Sequence, residues 1–516
     1  MIIKKGRGYA APQRLNEEVF FMIFQNPVIR GYYPDPSVCK ANGKYYLVAS
    51  SFQYFPGVPL FESKDLVNWE QIGYCLTRES QLPLENAHSS GGIFAPTIRY
   101  NNGRFYMVTT NTTVGKNFYV YTDDIYGEWS DPIIVEQGGI DPSLYFENGK
   151  VYFMSNGHDD NGKPAILQCE IDIETGRKFT ESRAIWGGAG GRYLESPHLY
   201  KINGKYYLTA AEGGTEYGHM VTYARGDNIY GLFNSYEHNP VLTNRNLGGY
   251  IVQGVGHAEL IEDDSGHWWL FHLGFRQIDK WLPFHHLGRE VFLMPVTFDN
   301  DGWFTVGDNG TTTHIVETDR ISEDIKQKIK TVYTFENADW NKDWQFIRRN
   351  SKDNFLFGEN CLKIKSSADT LDDNKGVPAF IGIHQKEFDM ELTVRVIITD
   401  GEAGVTLYMD ENHHYDLAVK KTESGCSVML KLNIGDIKHI QGIHPVSDDE
   451  VLLRVKSDPL NYEFFCGDIQ LGSAQTRYLS SEVAGGFTGV LIGLYAQNGE
   501  GFNEYTDFTL AYKTNG

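Results

Sequence analysis

The feature that most constrains this chain is a hairpin that recurs five times. Its first copy, Asp35-Pro-Ser-Val-Cys-Lys-Ala-Asn-Gly43-Lys-Tyr-Tyr-Leu-Val48, reads as a short strand, a turn, and a second strand of aromatic and β-branched residues. Further copies open at Ala95-Pro96, Asp141-Pro142 and Ser196-Pro197, with turn glycines Gly103, Gly149 and Gly204. In these four the proline stands seven residues before the glycine. A fifth copy, from His257 to Gly266 and on to His272, has one extra residue and no proline. Such a repeat implies small antiparallel sheets arranged radially, a five-bladed β-propeller. The start of each blade's first strand then faces the central axis. Asp35, Ala95, Asp141, the Glu195-Ser196 pair and His257 are therefore expected around one spot.

At 516 residues the chain exceeds one ordinary core, and two domains are expected. The repeat occupies residues 26–315. Residues 316–332 are polar, with a helical pattern around Ile321–Ile329, and read as a linker. From 333 to 516 a different pattern begins: Met390, Leu392, Val394 and Val396 alternate with Glu391, Thr393 and Arg395, and Val428, Leu430 and Leu432 alternate likewise. Such period-2 strands fit a β-sandwich, so the whole chain is expected to be all-β. The apolar stretch 485–495 is expected near the domain interface. Residues 1–25 read as a poorly ordered N-terminal extension. The apolar run Val19–Phe24 is too short to span a membrane, and no small-residue cleavage site follows it. No signal peptide, no membrane association and a cytoplasmic location are expected.

A net charge of −21 excludes nucleic acid as a partner, because nothing would neutralise phosphates. The six cysteines (Cys39, Cys75, Cys169, Cys361, Cys426 and Cys466) are scattered and suggest neither a disulfide framework nor a zinc site. An uncharged substrate, aromatic-rich loops (Ser50–Gly57, Ser89–Phe94) and axial carboxylates point to glycoside hydrolysis. That reaction needs one carboxylic acid to protonate the leaving oxygen and one carboxylate to activate water or attack carbon. A third carboxylate nearby raises the acid's pKa by like-charge repulsion. His257 is either a satisfied axial histidine or the one side-chain ligand of a weak calcium site. His285 and His286 are adjacent and would face opposite ways on a strand. Arg289 reads as a clamp for sugar hydroxyls or carboxylates, or as a surface ion pair.

Several stretches resemble glycoside hydrolase family 43, the β-xylosidases and α-L-arabinofuranosidases. They are Asn26–Ser37, Phe55-Pro-Gly57, Ser63–Trp69, Asp141-Pro-Ser-Leu144, Glu195-Ser-Pro-His198, Ala211–His219 and His286-Leu-Gly-Arg-Glu290. The later portion is similar to that family's C-terminal sandwich, a concanavalin-like jelly roll. The resemblance implies hydrolysis with inversion, with Asp35 as general base, Glu195 as general acid and Asp141 tuning the acid. It implies a sugar-contacting Arg289, an aromatic wall at Phe52 and a hydrated Ca2+ at His257. Phe94 stands where relatives often carry Trp, and Ser196 where Gly often follows the acid. Phe487 is the candidate for a phenylalanine lent by the sandwich to close the pocket, which implies exo-action on xylooligosaccharides. The first reading is therefore a β-D-xylosidase. The alternatives are an α-L-arabinofuranosidase acting on arabinoxylan and a non-catalytic carbohydrate-binding propeller. A homo-oligomer is compatible with the sequence.

Overall fold

The computed structural model describes residues 22–322, 324–349 and 352–513. Five four-stranded antiparallel sheets, spanning residues 37–76, 97–135, 143–186, 195–235 and 252–306, form blades I to V of a propeller. In blades I to IV the first two strands meet at a two-residue Asn-Gly turn. The pairs Ala41–Lys44, Asn101–Arg104, Glu147–Lys150 and Ile202–Lys205 face each other across it. Both turn residues have positive φ, for example 51° at Asn42 and 73° at Gly43, the twist that a right-handed hairpin needs. Blade V replaces this turn with a longer loop, in which the Asp263 carboxylate accepts from the backbone N–H groups of Ser265 and His267. That is why its copy of the repeat is looser.

Each blade comes from one stretch of chain, and the N-terminal segment closes the ring, with Val28 N donating to Val291 O (2.8 Å) and Val291 N to Ile29 O (3.1 Å). Asn26 donates through Nδ2 to Leu293 O (3.0 Å) and accepts from Leu293 N (2.9 Å), along the Glu290–Phe298 strand of blade V. Met22–Gln25 pairs antiparallel with Ile315–Thr318. Four residues of the expected unordered extension are thus a strand, because Met22 and Phe24 alternate with exposed Ile23 and are buried on the propeller. The expectation for residues 1–21 lies outside the described residues.

The connecting segment contains no helix among its described residues. Gln327 exchanges hydrogen bonds with the backbone of Gln25 (both 2.8 Å), and Lys328 N donates to Asn68 Oδ1 (2.7 Å). These long-range bonds, with Ile321 buried in the propeller core, outweigh the small helical bias of so short a segment.

The second domain packs an eight-stranded sheet against a six-stranded one. Its strand Met390–Ile397 alternates buried and half-buried residues along its length, as period 2 requires. Leu491–Gln497 lies inside the six-stranded sheet and is buried on both faces. Ile492 and Leu494 face the large core, while Leu491 and Tyr495 join Tyr32, Phe52 and Tyr54 of the propeller. The domains also share a small sheet, Tyr54–Phe55 with Phe346–Ile347. Buried Arg276 pairs with Glu290 (2.7 Å) and with Glu387 of the sandwich (2.7 Å). The sandwich is thereby fixed to the face of the propeller that carries the candidate site.

Candidate active site

The residue at the opening position of the repeat adopts a left-handed conformation in four blades: Asp35 (φ 58°), Asp141 (54°), Ser196 (56°) and His257 (49°). Each such non-glycine residue costs about 1–3 kcal/mol and persists where its surroundings over-determine it. In blade IV the repeat position is Ser196, and Glu195 stands one residue earlier, beside a register irregularity between Glu195 and His198. Ala95 is the small residue at the blade II position.

The pocket over the axis is lined by Asp35, Asp141, Glu195, His257 and Arg289, with walls from Phe52, Phe94, Ala95, Ile140, Thr215 and Phe487. The candidate residues Asp35, Asp141, Glu195, His257, Arg289, Phe52, Phe94 and Phe487 all lie here, whereas Ser196, His285 and His286 do not line it. Asp35 is buried and accepts from Ser50 Oγ (2.5 Å) and from Arg289 Nη1 (2.9 Å). Burial pushes its pKa up, but Arg289, His257 and the Ser50 hydroxyl together hold it below the ordinary carboxylate value. Glu195 is pushed up to about 7, by burial and then by the charge of Asp35, against the opposing pull of Arg289. Asp141 is also raised, by burial and then by Glu195 and Asp35, although Ser196 N donates to it (3.2 Å). The repulsion is mutual, so Asp141 and Glu195 titrate as a pair.

Arg289 is buried, which removes the surface ion-pair reading. Its guanidinium lies over Phe52 (5.7 Å) and Phe487 (5.3 Å), and its Nη2 has no protein partner. A buried charged donor left open beside aromatic rings is poised for a ligand oxygen. The three phenylalanines form a cluster: Phe52–Phe94 at 5.3 Å, Phe52–Phe487 at 5.9 Å and stacked, Phe94–Phe487 at 6.0 Å and edge-on.

Phe487 arrives from the sandwich and is pinned through both its own backbone N–H and its own carbonyl. Its N–H donates to Ser90 Oγ (2.8 Å), and its carbonyl accepts from Tyr32 OH. At the root of the loop, Glu482 accepts from His285 N (3.0 Å), His285 Nδ1 (2.8 Å) and Tyr217 OH (2.9 Å). Sequence reasoning missed Glu482 and Ser50. Ser50 could have been found, since it closes the first hairpin's second strand beside Asp35. Nothing local marks Glu482.

His285 stacks on Phe275 (3.8 Å), whereas His286 is buried against Phe388 and Tyr462. They do face different surroundings and form no metal pair. Among the described residues, no group of three or more His, Cys, Asp or Glu side chains could hold a metal ion. For calcium the donor set fits only a hydrated ion with one protein ligand. His257 is buried, yet its Nδ1 is 3.7 Å from Asp35 and 3.9 Å from Asp141, beyond hydrogen-bond length. The neighbouring His198 ring, 6.4 Å away, carries a buried Nε2 without a partner.

A propeller with an ion-paired carboxylate, a second carboxyl near neutrality and a third beside it, under an aromatic roof, defines a glycoside hydrolase. The chain belongs to glycosyl hydrolases family 43, whose family model matches residues 24–304. Residues 332–512 match a beta xylosidase C-terminal concanavalin A-like domain. The chain is similar to a xylosidase/arabinosidase of Butyrivibrio fibrisolvens, 38% identical over 95% of this chain and 98% of that one. It is also similar to the non-reducing end alpha-L-arabinofuranosidase BoGH43B of Bacteroides ovatus, 36% identical over 94% and 93%. Among solved structures, a xylan beta-1,4-xylosidase of Bacillus halodurans superposes with a TM-score of 0.86 at 27% identity, covering 95% of this chain and all of that one.

Proposed function

We propose that this protein is an exo-acting, inverting β-D-xylosidase that releases xylose from the non-reducing ends of xylooligosaccharides. The observation that carries the reading is the electrostatic asymmetry of the two carboxyls under the Phe487 roof. Asp35 is kept ionised by Arg289 and Ser50, while Glu195 holds its proton up to about pH 7. Asp35 takes a proton from the water that attacks the anomeric carbon, and Glu195 gives its proton to the departing glycosidic oxygen. Inversion requires these carboxyls to stand roughly 6.5–9.5 Å apart, leaving room for that water. Asp141, whose own carboxyl is raised by burial and by Glu195, is the neighbour that tunes the acid in this reading, and it anchors the turn at Ser196. Arg289 offers its open Nη2 to a sugar hydroxyl.

A roofed pocket admits one terminal sugar, which supports exo-action. His257 would hold a hydrated calcium ion. When bound, the ion supplies positive charge beside Asp35, favouring its ionised form.

The second reading is an α-L-arabinofuranosidase, favoured by the name of the Bacteroides ovatus relative; the Butyrivibrio fibrisolvens relative is named for both activities. Hydrolysis of 4-nitrophenyl β-D-xylopyranoside and 4-nitrophenyl α-L-arabinofuranoside separates the two. A faster xyloside supports the first reading; a dominant arabinofuranoside rate refutes it in favour of side-chain removal. The anomer released first, followed by NMR, tests inversion.

A further inference from the structure

We infer that the ring of Tyr193 is the platform on which the sugar of the leaving group stacks, which rests on the glycosidase reading above. Tyr193 is 63% exposed, two residues before Glu195. Its backbone is left-handed (φ 56°), a conformation rarely taken by a bulky side chain. An aromatic residue that is both exposed and backbone-strained gains nothing for the fold by being there.

The ring is nevertheless held firmly. Gly213 N donates to Arg192 O (2.7 Å), and Arg192 Nε donates back to Gly213 O (3.0 Å). The Arg192 guanidinium pairs with Glu216 and lies 5.4 Å from the Tyr193 ring centroid. A Cβ at Gly214 would come within 3.0 Å of the ring. The ring therefore rests against residue 214, immediately before Thr215, which lines the pocket together with Glu195. The result is a rigid, water-facing aromatic surface on the rim beside the group assigned to protonate the leaving oxygen. The leaving sugar emerges on that side. Its C–H face fits an aromatic plane, and a preformed platform loses little entropy on binding. The ligand class is a neutral pyranose, the second sugar of the chain.

The test compares two substrates sharing the same first sugar: xylotriose, with a sugar leaving group, and β-D-xylosyl fluoride, without one. For Y193A the ratio of kcat/KM between xylotriose and the fluoride is expected to fall about tenfold. Y193F and Y193W, which keep the ring, are expected to hold the ratio within about twofold. An unchanged ratio in Y193A, or an equal fall for both substrates, overturns the platform. If the wild type cleaves neither substrate, the xylosidase reading fails and the platform falls with it. An active wild type with an unchanged Y193A ratio refutes the platform alone.

Discussion

Replacing Ser50 with alanine isolates what keeps Asp35 ionised. Ser50 is buried, its Oγ donates to Asp35 at 2.5 Å, and it does not line the sugar pocket. Deleting the hydroxyl removes one of four influences that lower the Asp35 pKa and leaves the burial that raises it. A hydrogen bond to a charged group is worth about 1.5–3 kcal/mol, and one pKa unit about 1.4 kcal/mol. The Asp35 pKa should therefore rise, by the equivalent of that lost hydrogen bond. The base acts only when ionised, so the acid limb of kcat/KM should move to higher pH by that amount. At the basic end, activity should still fall above about pH 7, where Glu195 loses its proton. The same change weakens folding with a defined sign. A depressed carboxylate pKa stabilises the fold above the unfolded value of about 3.9 and loses that effect as pH falls through the folded value. S50A should therefore be less stable than wild type at neutral pH, with the gap closing in acid. The assay is kcat/KM from pH 4 to 9 on the preferred nitrophenyl glycoside, with chemical denaturation at pH 7 and pH 4. An acid limb that stays in place in a folded S50A enzyme would refute the argument that Ser50 sets the ionisation of Asp35.

D141N should move the basic limb to lower pH, because Glu195 loses the repulsion of a carboxyl with which it titrates; a limb fixed near pH 7 would deny Asp141 that role. E482A should raise KM for xylotriose roughly 5- to 150-fold, the equivalent of the roughly 1–3 kcal/mol lost with the Glu482 bonds, with a smaller effect on kcat, because Phe487 loses the anchor of its loop. E482Q should recover part of that loss. An E482A enzyme with unaltered KM would detach the loop from substrate binding. A chelator should lower activity by shifting the acid limb upward, and calcium should restore it; identical profiles with and without chelator would remove the metal from His257.

Much of the propeller was legible because its determinants are local. Asn-Gly turns after seven-residue Pro-to-Gly spacings specify hairpins, and hairpin repetition specifies blades. The same repeat located Asp35, Asp141, Glu195 and His257, since equivalent positions of equivalent blades must face the same axis. The strand at residues 22–25 and the non-helical course of the described residues in 321–329 are not legible, because their partners, Ile315–Thr318 and Gln25 with Asn68, lie far along the chain. Local pattern carries no record of such partners.

By itself the sequence determined the all-β repeat, the blade number and the carboxylates at the axis. Only the tertiary structure decided which carboxyl is charged and which is protonated. Their residue types alone do not distinguish acid from base. The contrast comes from Arg289 and Ser50 converging on Asp35, while Glu195 receives burial and repulsion instead. The tertiary structure also decided the roof. Phe487 reaches the pocket because Glu482, His285, Tyr217, Ser90 and Tyr32 meet across a domain interface. Such contacts arise from how two separately patterned domains pack, a fact that no short window of sequence encodes.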